Sequence, residues 1–133
     1  MIHVHLLDAR QIAKDIRPFE LVAFRIKLIE LADKYGVPII EDDPYGQLRF
    51  EGDHIPSLVS LDSKFRGKNG GCYSGNVIYL STFSKLLSPG LRLAWVIAPE
   101  QVIRKLVMSK QAADLHTASF NQYVAYELSL IHI

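Results

Sequence analysis

One stretch decides the fold class of this chain: Val77-Ile78-Tyr79-Leu80-Ser81-Thr82-Phe83-Ser84-Lys85, followed by Ser88-Pro89-Gly90-Leu91-Arg92. It opens with a short apolar run of β-branched and aromatic residues, which is typical of a buried strand. Hydroxyl side chains, a lysine and an arginine follow this run directly. Because ligands of open α/β sheets bind beyond the carboxyl ends of the strands, we expect the cluster to hold a phosphate-bearing ligand.

An upstream segment has the pattern of a helix, a glycine turn and a strand. Apolar residues recur at helical spacing over about 19–35, and Gly36 stands where a C-terminal helix cap belongs. The run 37–40 is short, apolar and β-branched, so we predict a buried strand that ends at Glu41 or Asp42. This unit and the strand before the lysine predict an α/β fold with a mostly parallel sheet flanked by helices.

The other segments add helices and loops to this sheet. Residues 1–18 carry little clear pattern, and Pro18 would interrupt a helix that begins near Ala9. The glycine-rich run at 66–75 predicts a turn or a flexible excursion. Further elements are predicted in the order short helix (55–61), strand (91–98), amphipathic helix from Glu100 and second helix (119–128).

Composition and charge exclude several classes of protein. The 133 residues are 49% hydrophobic and 22% charged, as in one globular domain, and a net charge of +1 implies no nucleic-acid partner. No apolar run reaches the roughly 20 residues of a membrane helix, and Asp8 comes too early for a signal peptide. His3 and His5 lack a third metal ligand. We therefore expect no metal. The single cysteine, Cys72, fits a reducing compartment, so we expect a cytoplasmic protein.

Lys85 is the candidate nucleophile. A lysine amine forms a Schiff base with a carbonyl, which is how pyridoxal 5′-phosphate (PLP) is anchored. PLP also needs a carboxylate at its ring nitrogen, a donor to its ring oxygen, and cationic and hydroxyl donors for its phosphate. A single lysine is more often a solvated surface residue. Here the strand-terminal position and the flanking hydroxyls favour a functional role.

The run Glu41-Asp42-Asp43-Pro44-Tyr45-Gly46 supplies carboxylates and a phenol at the end of the other predicted strand. Two acids followed by proline also suit the end of a strand and the start of a turn, so a purely structural role is the alternative. Chemistry alone does not separate Asp42 from Asp43. The lysine segment makes the functional interpretation the better one.

Taken in this order, the two segments resemble fold-type I PLP-dependent aminotransferases of class I/II, with most similarity to the 2-aminoadipate aminotransferase subgroup. The similarity spans about 28–127 and includes Asn121-Gln122. It implies that Lys85 holds the cofactor as a Schiff base and then moves the substrate α-proton. It also implies that Asp42, three residues before Tyr45, pairs with the pyridine nitrogen, and that Tyr45 contacts the ring oxygen.

The same resemblance assigns the phosphate of PLP to three residues. Arg92 would bind phosphate oxygens bidentately, aided by the hydroxyls of Thr82 and Ser84. The turn at Pro89-Gly90 is expected to swing Arg92 back toward the site. Ser81 and Ser88 are weaker candidates for the phosphate, and the alternative is that they are loop residues only.

Family members are several times longer than this chain. Parts of their phosphate cup, the ring that stacks on PLP and the domain that binds the substrate carboxylate have no counterpart here. Residues 19–133 are therefore interpreted as part of a PLP-binding large domain, and residues 1–18 as an unassigned segment. We call the longer protein that this implies the parent.

The resemblance implies that the parent is a homodimer that transfers an amino group from an amino acid to a 2-oxo acid. The chain alone is expected to be inactive. Two alternatives stay open: a PLP-binding sensor domain of a winged-helix transcriptional regulator, and another fold-type I reaction such as that of a C–S lyase. The amino donor and acceptor cannot be read from these residues.

Overall fold

The computed structural model describes residues 2–5, 18–66 and 72–132. Its elements are strand β1 (Ile2–His5), helix α1 (Pro18–Lys34), strand β2 (Ile39–Asp42), helix α2 (Leu58–Arg66), strand β3 (Val77–Thr82), short helix α3 (Phe83–Leu86), a 3-10 turn (Pro89–Leu91), strand β4 (Ala94–Ile97), helix α4 (Glu100–Asp114) and helix α5 (Ser119–His132). None of the helices in these ranges is long and apolar enough to cross a membrane.

The four strands form one sheet in the order β1-β2-β3-β4. Strands β1, β2 and β3 are parallel, and β4 runs antiparallel to β3. Ile39 pairs with Val77 and Asp42 pairs with Leu80, so the carboxyl ends of β2 and β3 meet at one edge. The predicted α/β fold, with a mostly parallel sheet and flanking helices, is confirmed.

Side chains alternate along β2 and β3, so that one side of these strands is buried and the other is partly exposed. Ile39, Val77 and Tyr79 are buried against residues of α1 and α2, among them Ile29 and Leu58. Burying a side chain of this size contributes about 1.5–3 kcal/mol. We call this side the helix-covered face. The other side, which we call the open face, bears partly exposed residues: Ile40, Asp42, Ile78, Leu80 and Thr82.

Helix α1 ends at a glycine, as its sequence predicted. Gly36 has a φ of 63°, a left-handed conformation that glycine adopts without strain. The N–H of Gly36 donates to the carbonyl of Asp33 (3.1 Å), and the N–H of Val37 donates to that of Ala32 (2.9 Å). These bonds satisfy carbonyls of the last helical turn. The chain then enters β2 after a connection of only a few residues.

Several boundaries in the first half differ from prediction. Pro18 begins α1 instead of interrupting a helix, because proline is tolerated in the first helical turn; the residues between Ala9 and Pro18 lie outside the described ranges. The helix predicted at 55–61 begins later, at Leu58. Its start follows Ser57, whose Oγ accepts the N–H of Ser60 (3.3 Å).

In the second half, β3 continues to Thr82 and α5 to His132, both beyond their predicted ends. The helix predicted from Glu100 is confirmed. The strand predicted at 91–98 is shorter, because a 3-10 turn and the left-handed Arg92 (φ 53°) precede it. Of the glycine-rich run, residues 67–71 lie outside the described ranges.

Strand β1 was missed by sequence reasoning. Its four residues lie in the unassigned segment 1–18 and pair with the whole of β2, from Ile2 with Ile39 to His5 with Asp42. A strand this short carries too few alternations to stand out from its neighbours. It is held in the sheet by main-chain hydrogen bonds, which any residue except proline can make.

Candidate active site at the carboxyl edge of the sheet

Lys85 lies on a capped helical turn directly after β3. Thr82 is the N-cap residue of α3: its Oγ1 accepts the N–H of Ser84 (3.1 Å) and donates to the carbonyl of Leu93 (2.9 Å). The N–H of Phe83 donates to the same carbonyl (3.0 Å). The cap satisfies an N–H that a helix start leaves unpaired. The lysine is therefore carried by a short helix anchored to the start of β4, and its side chain is exposed.

Tyr45 and Lys85 come together although 40 residues separate them in the sequence. Nζ of Lys85 lies 5.7 Å from the centroid of the Tyr45 ring, within the range of a cation–π contact. Tyr45 is 42% exposed and belongs to the turn after β2, which the N–H of Leu48 closes by donating to the Tyr45 carbonyl (2.8 Å). The Lys85 amine and the Tyr45 phenol, which the sequence assigned to one site, thus lie close together.

The structure separates Asp42 from Asp43. Asp42 ends β2 on the open face, the same face as Thr82 on the adjacent strand. Asp43 is built into the turn: its Oδ2 accepts the hydroxyl of Tyr79 (3.3 Å), and a Cβ at Gly46 would lie 2.1 Å from the same oxygen. A side chain at Gly46 would therefore force the Asp43 carboxylate to move. Burial, with the negative charge of Asp43, raises the pKa of Tyr79, which keeps its hydroxyl a donor.

Arg92 is hydrogen-bonded to its own turn. Its Nη1 and its backbone N–H both donate to the carbonyl of Pro89 (3.3 Å each). The side chain is exposed, and the positive φ places a non-glycine residue in a strained conformation. The predicted tight turn is present as a 3-10 turn. The guanidinium folds back over that turn, so its approach to Thr82 and Ser84 stays a prediction.

Sequence reasoning missed the structural roles of Ser81 and Glu41. Ser81 is a buried residue of β3, 6% exposed, and the alternative that it is only a loop residue is wrong. Its Oγ donates to the carbonyl of Asp43 (2.8 Å), and the N–H of Asp43 donates to the carbonyl of Leu80 (2.9 Å). These bonds hold the end of β2 to the end of β3.

Glu41 is fully buried beside the site. Its Oε1 accepts the N–H of Leu58 (2.8 Å) and its Oε2 that of Val59 (3.1 Å), at the start of α2. Burial raises the pKa of Glu41, and these two hydrogen bonds oppose the rise. Arg25, which donates to the carbonyl of Pro56, is the nearby cation. Strand period places Glu41 on the same face as Ile39, but Ile40 on the other face is equally apolar, so the sequence did not show which of the two faces would be buried.

The residues at this edge fit PLP by their donor chemistry. The amine of Lys85 lies beside a phenol, a carboxylate and hydroxyls end the two adjacent strands, and a guanidinium follows within the next turn. Such a set can hold an aldehyde, a pyridine ring and a phosphate. Among the described residues, no group of three or more His, Cys, Asp or Glu side chains could hold a metal ion.

Comparison with known proteins identifies the family. The family model for "Aminotransferase class I and II" matches residues 25–127, and the chain belongs to this family. An uncharacterized aminotransferase of Saccharolobus solfataricus is 48% identical over 77% of this chain and 23% of that protein. The 2-aminoadipate transaminase of Thermus thermophilus is 43% identical over 78% of this chain and 24% of that protein. The chain thus spans about a quarter of the length of these curated relatives.

A solved structure and a regulator extend the comparison. The crystal structure of an α-aminoadipate aminotransferase from Thermus thermophilus, complexed with N-(5′-phosphopyridoxyl)-L-leucine, has a TM-score of 0.69 and 40% identity; the match covers 78% of this chain and 25% of that one. An uncharacterized HTH-type transcriptional regulator of Bacillus subtilis is 39% identical over 77% of this chain and 19% of that protein. The same partial domain therefore occurs in proteins named for two different functions.

Proposed function

We propose that this chain is part of a PLP-dependent aminotransferase that moves an amino group from an amino acid to a 2-oxo acid. One observation carries the proposal: the Lys85 amine lies beside the Tyr45 ring, at the edge where the strands bearing Asp42 and Thr82 end. The family membership supports the reaction class. The phosphopyridoxyl–leucine complex of the structural relative supports the cofactor.

Three residues would bind the reactive part of the cofactor. Bound PLP supplies the electron sink that makes the substrate α-proton acidic. The Lys85 amine would hold the aldehyde carbon and afterwards carry that proton. The Asp42 carboxylate would keep the pyridine nitrogen protonated, and the Tyr45 hydroxyl would donate to the ring oxygen. We assign Asp43 no contact with the cofactor, because its carboxylate already accepts the Tyr79 hydroxyl within the turn.

Three further residues would bind the phosphate. The hydroxyls of Thr82 and Ser84 lie 3.0 Å apart at the start of α3. Ser84 could donate to an anion directly, and Thr82 could do so after giving up its hydrogen bond to the carbonyl of Leu93. Arg92 would add a planar, bidentate donor. For this it must exchange its long hydrogen bond to Pro89 for the phosphate, a rotamer change of an exposed side chain.

In the parent, residues 19–133 would be the central part of the large domain, with residues 1–18 unassigned. The parent would be a homodimer acting on an amino acid and a 2-oxo acid. The exposed single cysteine, Cys72, supports a reducing, cytoplasmic location. The regulator relative in Bacillus subtilis favours a second candidate, a sensor domain that binds PLP without turnover.

Borohydride reduction of the parent with PLP tests the proposal. The reduction should link the cofactor to the tryptic peptide that contains Lys85, and Lys85→Ala should abolish both the adduct and the cofactor absorbance band. Lys34→Ala is the matched control, because Nζ of Lys34 lies 5.4 Å from the ring of Tyr35 in a similar cation–π contact at the end of α1. An adduct that persists in Lys85→Ala would exclude the assignment. A normal adduct without amino transfer to any 2-oxo acid would favour the sensor.

A further inference from the structure

Two neighbouring acids at the end of β2 point to opposite faces of the sheet. Glu41 lies on the helix-covered face and is fully buried, whereas Asp42 lies on the open face and is partly exposed. In a strand, successive side chains leave the backbone in opposite directions. The orientation of one side chain therefore fixes the direction of the next.

Glu41 clamps this part of β2 onto α2. Both of its carboxylate oxygens are used, each by one backbone N–H of the first turn of α2, from Leu58 and Val59. Those N–H groups have no partner within the helix itself. A charged acceptor makes such bonds stronger than a neutral one does. The bonds join a residue within the sheet to a helix 17 residues further along the chain.

The surroundings of Glu41 hold its carboxylate in one place. Its charged neighbours on the helix-covered face are Arg25, which attracts it, and Asp43, which repels it. Arg25 is itself tied to the carbonyl of Pro56, just before α2. The hydroxyl of Tyr79 is also near and is turned to Asp43. The Glu41 carboxylate thus holds the end of β2 from the helix-covered face.

We propose that Glu41 is a positioning residue for Asp42: its clamp on the first turn of α2 sets the direction in which the Asp42 carboxylate leaves the strand. The inference rests on the proposed function, since it assigns Glu41 a role through the contact of Asp42 with the cofactor ring. Glutamine cannot replace Glu41, because its amide presents one acceptor and sets an N–H₂ donor against a backbone N–H. A small displacement of a catalytic group lowers the rate strongly.

The test uses the parent with bound cofactor and the variant Glu41→Gln. We expect kcat to fall about 10- to 100-fold, as for a displacement near 1 Å. The loss should be largely recovered with an N-methylpyridinium analogue of PLP, whose ring nitrogen is permanently charged and needs no carboxylate to hold a proton. The same analogue should recover activity in Asp42→Asn. A variant that had only lost stability would gain no activity from the analogue.

Asp62→Asn is the matched control. Asp62 is also fully buried, lies on α2, and accepts a backbone N–H, that of Asn76 (3.0 Å). It should lower the melting temperature as Glu41→Gln does, with kcat within about twofold and no response to the analogue. If Glu41→Gln does not fold, Glu41→Met, which buries no mismatched donor, takes its place.

Two results separate the inference from the proposed function. If Asp42→Asn is impaired and recovered by the analogue while Glu41→Gln behaves like Asp62→Asn, the positioning role is wrong and the function stands. If the unaltered parent forms no adduct at Lys85, the proposed function itself fails.

Discussion

The two faces of strands β2 and β3 carry similar polar side chains in different environments. On the helix-covered face, Glu41 and Ser81 are buried and hydrogen-bonded to backbone groups of other elements. On the open face, Asp42 and Thr82 are partly exposed at the same edge. Within the described residues, no buried side-chain nitrogen or oxygen lacks a hydrogen-bond partner. The comparison teaches that a one-residue step along a strand separates a structural carboxylate from one available for chemistry.

The largest expected effect concerns the open face in the isolated chain. Residues 1–133 alone should show no measurable amino transfer with PLP, several amino donors and 2-oxoglutarate, because catalysis needs substrate and cofactor held in one preorganised site. The chain should also self-associate, since Val96 and its neighbours leave apolar surface uncovered on the antiparallel strand β4. Size-exclusion chromatography would detect this.

Val96→Lys is the control for self-association. It places a charge on the open face and should shift the isolated chain toward the monomer without restoring activity. Sustained turnover by a soluble monomer of the unaltered chain would show that the open face needs no further cover.

The second effect compares the neighbouring acids in the parent. Asp42→Asn should lower kcat by several orders of magnitude, because the pyridine nitrogen loses the charge that keeps it protonated and the ring becomes a poorer electron sink. Asp43→Asn should do much less to kcat and should lower stability instead, since its carboxylate accepts the Tyr79 hydroxyl. Steady-state kinetics measures kcat, and thermal unfolding measures stability, for both variants. Equal losses of kcat in the two variants would show that the acid on the open face has no special role.

The smallest effect concerns Arg92. Arg92→Lys should raise the dissociation constant of PLP about tenfold in equilibrium dialysis, because lysine keeps the charge but loses the planar fork. The absorbance of bound cofactor should change little. Arg104→Lys, at an exposed residue of α4 whose guanidinium pairs with Glu100, is the control and should leave the constant unchanged. An unaltered constant in Arg92→Lys would argue against a phosphate role.

Much of the fold was readable from local pattern. The helix before Gly36, the apolar run at 77–80 and the helix from Glu100 were predicted from periodicity and capping residues, and the structure confirms them. Lys85, Tyr45 and Asp42 were proposed from their order after predicted strands. The contact between Lys85 and Tyr45 agrees with that proposal, but the roles of these residues stay predictions.

The remainder depended on partners distant in sequence. Strand β1, the late start of α2 and the buried positions of Glu41 and Ser81 could not be read from local pattern alone, because each depends on a backbone group elsewhere in the chain. Local sequence determined helices α1 and α4 and strands β2 and β3, since periodicity and turn chemistry act between near neighbours. Only the tertiary structure decided which of the two adjacent acids is buried and which is open. Among the described elements, α1 and α2 pack against the face that buries Glu41, whereas Asp42 on the other face is partly exposed.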